Sequence, residues 1–436
     1  MTMNFEATLP LAMLSAQASA PLLRISKHSR YTDDHPLFVL GLLRFGASIP
    51  YIFVSKSHQT MPLQPVPSQP TIGIVGSAGA FGRWFKHFFE QRMGLNVIGR
   101  DPNGETALSP AELIERADVL IFSAPIRATA ALIAEYTTLA AGRERGKLWL
   151  DLTSIKATPV AALLQSEAEV AGLHPMTAPP KTPTLKGRVL VVCEARVDTW
   201  RAWLDEFLAA TEADCVRAQP EQHDRVMAVV QGMTHATHMA QAATLRELAP
   251  ELGGLDAIHP FRTIGYELDG VVTRRMLASN PAIYEDIQFE NPHIGAMLER
   301  LATHIDFLRD RVREGGDAAR AAMRERLLAA PREFHGGKLL VDGSYGFERM
   351  GYLLSDLASP AYISVFLPLD EPGSLRALLS VFETYSINLD SIHSSRTAEG
   401  ELHFRIGYDP VSDPENVRAA IAAIGERGIG RVIGSN

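Results

Sequence analysis

The feature that most constrains the fold is a short β-branched run that breaks into a glycine-rich turn. Residues 71–76 read Thr-Ile-Gly-Ile-Val-Gly, glycines recur at Gly79 and Gly82, and Asp101 closes the next apolar run. A buried strand, a turn that lets backbone N–H groups approach a pyrophosphate, a helix and a distal acid are typical of a dinucleotide-binding α/β unit. The spacing departs from G-x-G-x-x-G, because Ala78 occupies the second glycine position. A strand-to-helix turn without a ligand therefore remains the alternative.

Composition excludes several classes of protein. The chain has 436 residues, of which 46% are hydrophobic and 21% charged, enough for about three globular domains. A formal net charge of −8 and the lack of a lysine-rich or arginine-rich tract disfavour binding to nucleic acid or to an anionic membrane. Because Cys193 and Cys215 lack the spacing of metal ligands, we expect no metal site and a reducing, cytoplasmic environment.

The first seventy residues differ from the rest of the chain. The apolar stretch 38–54 is interrupted by glycine, arginine and proline, so we expect no membrane span there. A proline-rich lead-in covers residues 61–70, just before the first strand. We expect residues 1–70 to be poorly ordered or to belong to an over-extended reading frame, with the folded protein beginning near Met61 or Thr71.

Alternating helix and strand patterns follow Asp101. They predict a helix over 110–116 and buried strands over 119–123 and 148–152, as in a doubly wound α/β sheet. Ligands collect at the carboxyl ends of such strands, where residues 123–127 and 151–156 supply polar loops. From residue 220 to residue 330, long helical periodicity with few strand signals predicts a mostly helical second domain.

His174 is the candidate for acid–base chemistry. It stands directly before Pro175, which disfavours helix and holds the histidine in an extended turn that can face a cleft. Because an unperturbed imidazole has a pKa near 6.5, His174 could take a proton from a substrate hydroxyl at neutral pH. A hydrogen-bonded histidine with a purely structural role is the alternative.

Five motifs, taken in order, resemble the prephenate dehydrogenase family: Gly73–Gly76, Asp151–Lys156, Gly172–Met176, His223–Asp224 and Thr273–Ile287. The resemblance spans about residues 71–330 and is strongest to the enteric-type enzymes. It implies a Rossmann-type nucleotide domain and a mostly helical domain that forms a homodimer, with active sites in the cleft between them. It also implies NAD-dependent oxidative decarboxylation of prephenate in tyrosine biosynthesis.

The same resemblance assigns roles to individual residues. His174 matches the catalytic histidine that engages the substrate hydroxyl, and Ser154 matches a serine that orients that histidine or the substrate. Arg275 matches the arginine that binds a substrate carboxylate, with a solvated helix face as its alternative, and His235 matches a histidine near the substrate pocket. Lys156 has two open interpretations, a pocket residue or a cation that neutralises a strand end.

A nicotinamide cofactor is expected on the first α/β unit. NAD is favoured over NADP because Asp101 would repel a 2′-phosphate, although neighbouring Arg100 could accept one. The residues expected to contact the cofactor are Gly76, Gly79, Phe81, Gly82, Asp101, Ser123 and Pro125.

The C-terminal residues change pattern again. Strand, helix, two strands and a further helix follow one another from Ala361 onward, and this order resembles the α+β, ferredoxin-like ACT domain that senses amino acids. The runs 371–375 and 387–396 resemble the ACT domains that bind aromatic amino acids, although the arginine is shifted, and a dimerising tail without a ligand is the alternative. The residues expected to contact an effector are Gly373, Leu375, Asn388 and Ser394.

These patterns combine into one expectation for the chain. They predict an NAD-dependent prephenate dehydrogenase under feedback by an aromatic amino acid, with an arogenate (cyclohexadienyl) dehydrogenase or a non-catalytic sensor of amino acids or dinucleotides as alternatives. The expected segments are residues 1–70, the NAD-binding domain 71–218, the helical domain 219–330, a linker 331–359 and the ACT domain 360–436.

Overall fold

A computed structural model describes residues 66–104, 107–368, 371–396 and 401–435. Residues 1–65 lie outside the described residues, so the expectation for residues 1–70 stays a prediction there. No helix of the described residues is long and apolar enough to cross a membrane.

The first part of the described chain forms a seven-stranded sheet with the order β2-β1-β3-β4-β5-β6-β7. The first five strands are parallel, β6 runs antiparallel to β5, and β7 is parallel to β6. The sheet thus confirms the predicted α/β architecture. Its strands are β1 Ile72–Val75, β2 Val97–Arg100, β3 Val119–Phe122, β4 Leu148–Asp151, β5 Glu169–Pro175, β6 Val189–Arg196 and β7 Asp214–Arg217.

Helices cover both faces of this sheet, and its central strands β1, β3 and β4 are buried throughout. Ile72 and Ile74 pack on one face with the phenylalanines of the first helix, whereas Val75 and Phe122 pack on the other face with Trp149. Because β1 to β5 are parallel, their carboxyl ends lie at one edge of the sheet, where the connecting turns carry polar residues. The helices of this part are α1 Ala80–Arg92, α2 Pro110–Arg116, α3 Ile126–Ala140, α4 Ala157–Leu163 and α5 Arg201–Ala210.

The predicted helical region follows β7. Within the described chain its buried apolar cluster consists of Ala228, Ile287 and Ile294, and α7 has no buried residue. The helices are α6 Pro220–Met227, α7 Thr234–Leu248, α8 Leu255–Ile258, α9 Ile264–Leu277, α10 Pro281–Glu290, α11 Ile294–Glu314, α12 Gly316–Arg324 and α13 Ala330–Ala358, with π-helical turns at Ala228–Met233 and Glu325–Ala329 and 3-10 turns at Ala249–Leu252 and His259–Phe261.

The segment 331–359, expected to be a linker, is helical in the structure. Helix α13 runs through it and is interrupted only at Gly336, which has φ +70°. The glycines of this segment therefore lie on a helix, where local propensity is a weak constraint.

The C-terminal part forms a four-stranded antiparallel sheet with the order β11-β8-β10-β9. Two helices pack on it around Ile363, Phe382 and Ile406. The predicted order of strand, helix, two strands and helix is confirmed, and β11 completes a βαββαβ arrangement. Its elements are β8 Tyr362–Leu367, α14 Ser374–Thr384, β9 Leu389–Arg396, β10 Leu402–Tyr408, α15 Pro414–Glu426 and β11 Arg431–Ser435.

Candidate active site

His174 lies near the end of β5 and is only 2% exposed. The proline that follows it continues the strand rather than opening a turn, and β6 pairs with His174 at Val191. Its Nδ1 lies 2.9 Å from Nε2 of His223, on the helix α6. His174 is therefore held by a side chain from the helical region, which the sequence motif alone did not indicate.

A carboxylate fixes the direction of this hydrogen-bonded chain. Oδ1 of Asp224 lies 2.7 Å from Nδ1 of His223, and the two oxygens of Asp224 accept the backbone N–H groups of Lys156 and Ala157 at 2.8 and 2.9 Å. Burial raises the pKa of Asp224, but the hydrogen bonds from His223 and the two backbone groups outweigh it and hold that pKa below its usual value.

The proton positions of the two imidazoles follow from that carboxylate. Asp224 can only accept, so Nδ1 of His223 carries the proton, and the free Nε2 of a neutral His223 then accepts from Nδ1–H of His174. Burial first, and then the neighbouring His223 and Lys156, lower the pKa of His174 well below its usual value. His174 is therefore neutral near pH 7, with its lone pair on Nε2.

Lys156 is completely buried beside β5, the strand that carries His174. Its Nζ donates to Oδ1 of Asp151 and, at 2.9 Å, to the carbonyl oxygen of Leu173. Burial lowers the pKa of Lys156, against the opposing effect of Asp151. Of the two interpretations that the sequence left open, these contacts favour the cation that neutralises the end of β4.

Gln231 is a site residue that sequence reasoning missed. It lies on the π-helical turn Ala228–Met233, and its Nε2 is 3.3 Å from Nε2 of His174. Its Oε1 is buried and has no hydrogen-bond partner among the described residues. The available signal was one amide in an otherwise apolar run, Val-Val-Gln-Gly, eight residues after His223.

The other predicted substrate residues are placed differently. Ser154 is half-buried after β4, and its hydroxyl has no hydrogen-bond partner among the described residues; His174 is oriented instead by His223 and Gln231. His235 packs edge-on against Tyr284, and its buried Nδ1 has no partner within the described chain. Burial, and to a lesser extent His238, lowers the pKa of His235.

Arg275 lies on the exposed surface of α9. Its guanidinium forms no hydrogen bond or ion pair with any residue that the structure describes. No hydrogen bond or ion pair of the described residues joins Arg275 to His174, and its predicted role as a carboxylate ligand stays a prediction.

The glycine-rich turn has the close backbone approaches that a bound pyrophosphate requires. Gly76 has φ +85°, and a Cβ there would clash with the carbonyl oxygen of Ser123. A Cβ at Gly82 would clash with the carbonyl oxygen of Gly76, while Gly79 is the N-cap of α1 and provides no side-chain cap. The N–H groups at the start of α1 thus lack a side-chain acceptor, which suits an anion.

The remaining predicted cofactor residues surround this turn. The carboxylate of Asp101 is 7% exposed and accepts the backbone N–H groups of Ala78 at 3.2 Å and Asn103 at 2.8 Å. Ser123 follows β3 and Pro125 is the N-cap of α3, both beside the turn, whereas the ring of Phe81 packs toward the core. Only the backbone of Phe81 is therefore suited to a phosphate.

Two carboxylates join the helical region to the α/β part. Asp224 accepts at the start of α4, and Asp286 of α10 accepts the backbone N–H of Arg127 at 3.2 Å and its side-chain Nε at 2.5 Å, at the start of α3. Each acid therefore lies at a helix N-terminus, where the macrodipole favours negative charge.

No group of side chains in the described residues could hold a metal ion. In the C-terminal sheet, Gly373 has φ +105° at the N-cap of α14, and Leu375, Asn388 and Ser394 are exposed. The side chains of Asn388 and Ser394 make no hydrogen bonds with other residues of the described chain.

Comparisons with known proteins give a consistent set of relatives. Residues 219–326 match the family described as "Prephenate dehydrogenase, dimerization domain". The chain is 33% identical over 242 residues to "Probable arogenate/prephenate dehydrogenase" of Methanocaldococcus jannaschii, covering 51% of this chain and 52% of that protein. It is 29% identical over 242 residues to "T-protein" of Enterobacter agglomerans, covering 54% and 60%. The chain thus spans little more than half the length of these two relatives.

A third relative and one solved structure extend the comparison. The chain is 28% identical over 286 residues to "4-amino-4-deoxyprephenate dehydrogenase" of Streptomyces pristinaespiralis, covering 61% of this chain and 92% of that protein. The crystal structure of prephenate dehydrogenase from A. aeolicus in complex with hydroxyphenyl propionate and NAD+ has a TM-score of 0.49 at 20% identity, covering 61% of this chain and 97% of that one.

Proposed function

We propose that this chain is a member of the prephenate dehydrogenase family, to which it is similar, and that it catalyses the NAD-dependent oxidative decarboxylation of prephenate to 4-hydroxyphenylpyruvate and CO2 in tyrosine biosynthesis. The observation that carries the proposal is the buried chain Asp224–His223–His174, which leaves the Nε2 lone pair of a neutral imidazole at the end of β5. A purely structural histidine would not need a second histidine and a carboxylate to define its tautomer.

The residues of the first α/β unit fit a nicotinamide dinucleotide. The glycines at Gly76 and Gly82 keep the turn free of side chains, and the start of α1 offers backbone donors to a pyrophosphate. Asp101 would accept a ribose hydroxyl, and Arg100 is already engaged with the carbonyl oxygen of Leu108 at 2.6 Å, which favours NAD over NADP. When bound, NAD supplies the acceptor for the hydride.

His174 acts as the general base for the substrate hydroxyl. Its Nε2 accepts a hydrogen bond from the ring hydroxyl and acts as a general base toward that proton. At the same time the ring carbon that bears the hydroxyl releases hydride. The opposite ring carbon loses its carboxylate as CO2, the electron pair of that bond enters the ring, and the proton returns to the phenol oxygen. Asp224 and His223 hold the imidazole in the tautomer that this step needs.

The other predicted site residues bind the substrate or hold His174 in position. Lys156 holds the carbonyl before His174, and so fixes where the imidazole stands. Ser154, whose hydroxyl has no partner within the described residues, and His235, whose Nδ1 has none, are the substrate-side polar groups. Arg275 binds a substrate carboxylate through its guanidinium fork, which requires α9 or a second subunit to bring it to the cleft.

A homodimer through the helical region belongs to this proposal. Val226, Val229, Val230 and Met233 are 36% to 50% exposed, and so do not form a monomer core. A helical domain with so little buried apolar surface gains most of its hydrophobic stabilisation from a partner.

Feedback regulation is proposed for the C-terminal sheet. Its βαββαβ order supports an ACT domain, and the exposed Leu375, Asn388 and Ser394 around the turn at Gly373 provide the surface for an aromatic amino acid.

One assay tests these assignments together. Purified protein is mixed with prephenate and NAD, reduction of the nicotinamide is followed by absorbance, and the assay is repeated with NADP, arogenate and added tyrosine or phenylalanine. We expect rapid reduction with prephenate and NAD, slowed by the amino acid. Faster reduction with arogenate would identify an arogenate dehydrogenase, and folded protein inactive with every pair would favour the non-catalytic sensor.

A further inference from the structure

We propose that Gln231 positions the substrate hydroxyl at His174. Its amide donates to Nε2 of His174 in the free protein, and to the hydroxyl oxygen once that hydroxyl occupies Nε2. The inference rests on the proposed function for its substrate half, while its free-protein half can be tested without any activity.

The geometry places two side chains on opposite nitrogens of one imidazole. His223 contacts Nδ1 of His174 at 2.9 Å and Gln231 contacts Nε2 at 3.3 Å. Because Asp224 fixes the tautomer, Nε2 of His174 is an acceptor, and Gln231 must present its NH2 group there rather than its carbonyl. The carbonyl Oε1 is then the atom that faces away, and it is buried without a partner among the described residues.

The backbone next to Gln231 is held at Gly232, whereas the side-chain amide of Gln231 has few contacts. Nε2 of Gln288 donates to the carbonyl oxygen of Gly232 at 2.9 Å, and a Cβ at Gly232 would lie 2.8 Å from Cδ1 of Ile294. The amide of Gln231, by contrast, has one long hydrogen bond and one unpartnered acceptor. π-Helical turns are frequent at functional sites, and this one brings Gln231 to the ring that His223 also contacts.

A substrate hydroxyl can form hydrogen bonds with both the amide of Gln231 and Nε2 of His174. It donates its O–H to Nε2 of His174 and accepts N–H from Gln231, so the oxygen is fixed from two sides. The amide is neutral, so it adds no negative charge that would favour the imidazolium. Gln231 therefore orients the hydroxyl and leaves His174 neutral, so that Nε2 of His174 can still accept a proton.

The free-protein contact can be tested by nitrogen NMR of protein with 15N-labelled histidine. His174→Asn assigns the resonance among the 14 histidines, and Gln231→Glu is compared with Gln231→Met, which has a similar length and no polar group. We expect Gln231→Glu to raise the pKa of His174 by about one unit or more, because a carboxylate at Nε2 favours the imidazolium. Gln231→Met should change it far less. A pKa in Gln231→Glu within about 0.3 units of that in Gln231→Met would overturn the contact.

Kinetics test the substrate half on the full chain. We expect Gln231→Met to lower kcat/KM for the hydroxyl substrate about tenfold, the effect of one lost hydrogen bond, with KM for NAD unchanged. The acid limb of the pH profile should move upward in Gln231→Glu only. Gln288→Leu is the control, since it loosens the same turn without touching His174, and an equal loss in that variant would assign Gln231 a merely structural role.

The two proposals fail in distinguishable ways. If the wild-type protein reduces no cofactor, the proposed function and the substrate half fall together, and the NMR titration still decides the contact to His174. If the wild type is active but Gln231→Met keeps its kcat/KM, this inference alone is overturned. Should Gln231→Glu fail to fold by circular dichroism, the NMR comparison passes to Gln231→His, whose imidazolium would lower the pKa of His174.

Discussion

The His174 site and the C-terminal sheet were both predicted to bind small molecules, but they are built differently. His174 is 2% exposed and has a partner on each ring nitrogen, whereas Asn388 and Ser394 are exposed and their side chains make no hydrogen bonds with the described residues. Buried polar groups depend on every partner, since a lost partner leaves a desolvated group behind. Single changes should therefore have large effects at His174 and small ones at the C-terminal sheet.

The largest effect is expected for His174→Asn. Without the Nε2 base, we expect kcat to fall by about 10⁴-fold, or roughly 5.5 kcal/mol of barrier. Affinity for NAD, measured by fluorescence titration, should be nearly unchanged. The matched control is His403→Asn in β10, where the histidine bonds Ser395 at 3.0 Å, and we expect kcat to stay within twofold. Equal losses in the two variants would contradict the contrast between the regions.

Lys156→Met should destabilise the protein strongly. The change leaves Asp151 as a buried carboxylate without its cation, which costs about 3 to 5 kcal/mol when one partner of a buried pair is removed. The free energy of unfolding from chemical denaturation is the measurement. The double variant Lys156→Met/Asp151→Leu should be more stable than Lys156→Met alone, and additive effects would show that the two side chains are not coupled.

Stability should fall as the pH decreases below about 6.5. The folded-state pKa of His174 is depressed by its burial, so the unfolded chain binds more protons below the unfolded pKa and the free energy of unfolding drops by up to about 1.4 kcal/mol per pH unit. Asp224 adds a second loss below about pH 4, because hydrogen bonds hold its folded pKa down despite burial. His174→Asn should flatten the first slope, and an unchanged slope would assign it to other groups.

The smallest effect is expected at the C-terminal sheet, for Arg405→Ala. This guanidinium donates to the carbonyl oxygens of Asp356 and Ser359 at 2.8 and 2.9 Å and lies 4.0 Å from the centre of the Tyr362 ring. Its removal should cost about 1 to 2 kcal/mol. Thermal denaturation measures the loss, and kcat without added amino acid should not change. A fall in kcat comparable to that of His174→Asn would show that the two regions are tightly coupled.

Sequence reasoning could predict the α/β sheet and propose site residues where the signal is local. The glycines around Gly76, the acid Asp101 and the histidine before Pro175 are each recognisable within a few residues, and the α/β sheet follows from strand and helix periods. The partners of His174 were not accessible in this way. Gln231 lies 57 residues away and reaches the imidazole only through a π-helical turn, which no periodicity of apolar residues announces.

Burial was also hard to predict for the helical residues. The stripe Val226, Val229, Val230 and Met233 fits a monomer core and a partner surface equally well, and only the three-dimensional structure leaves it exposed. The helix over the linker segment 331–359 was likewise not indicated by the sequence, because glycine disfavours a helix interior.

The contact of Asp224 with the start of α4 would make the proposed catalytic activity sensitive to local unfolding. The same carboxylate fixes the imidazole tautomers and holds α6 against Lys156 and Ala157. If α6 detaches while the sheet stays intact, the relay is interrupted although most of the protein remains folded. Turnover should then decline at lower denaturant concentration than the sheet's hydrogen-exchange protection, with the shallower denaturant dependence of a sub-global opening.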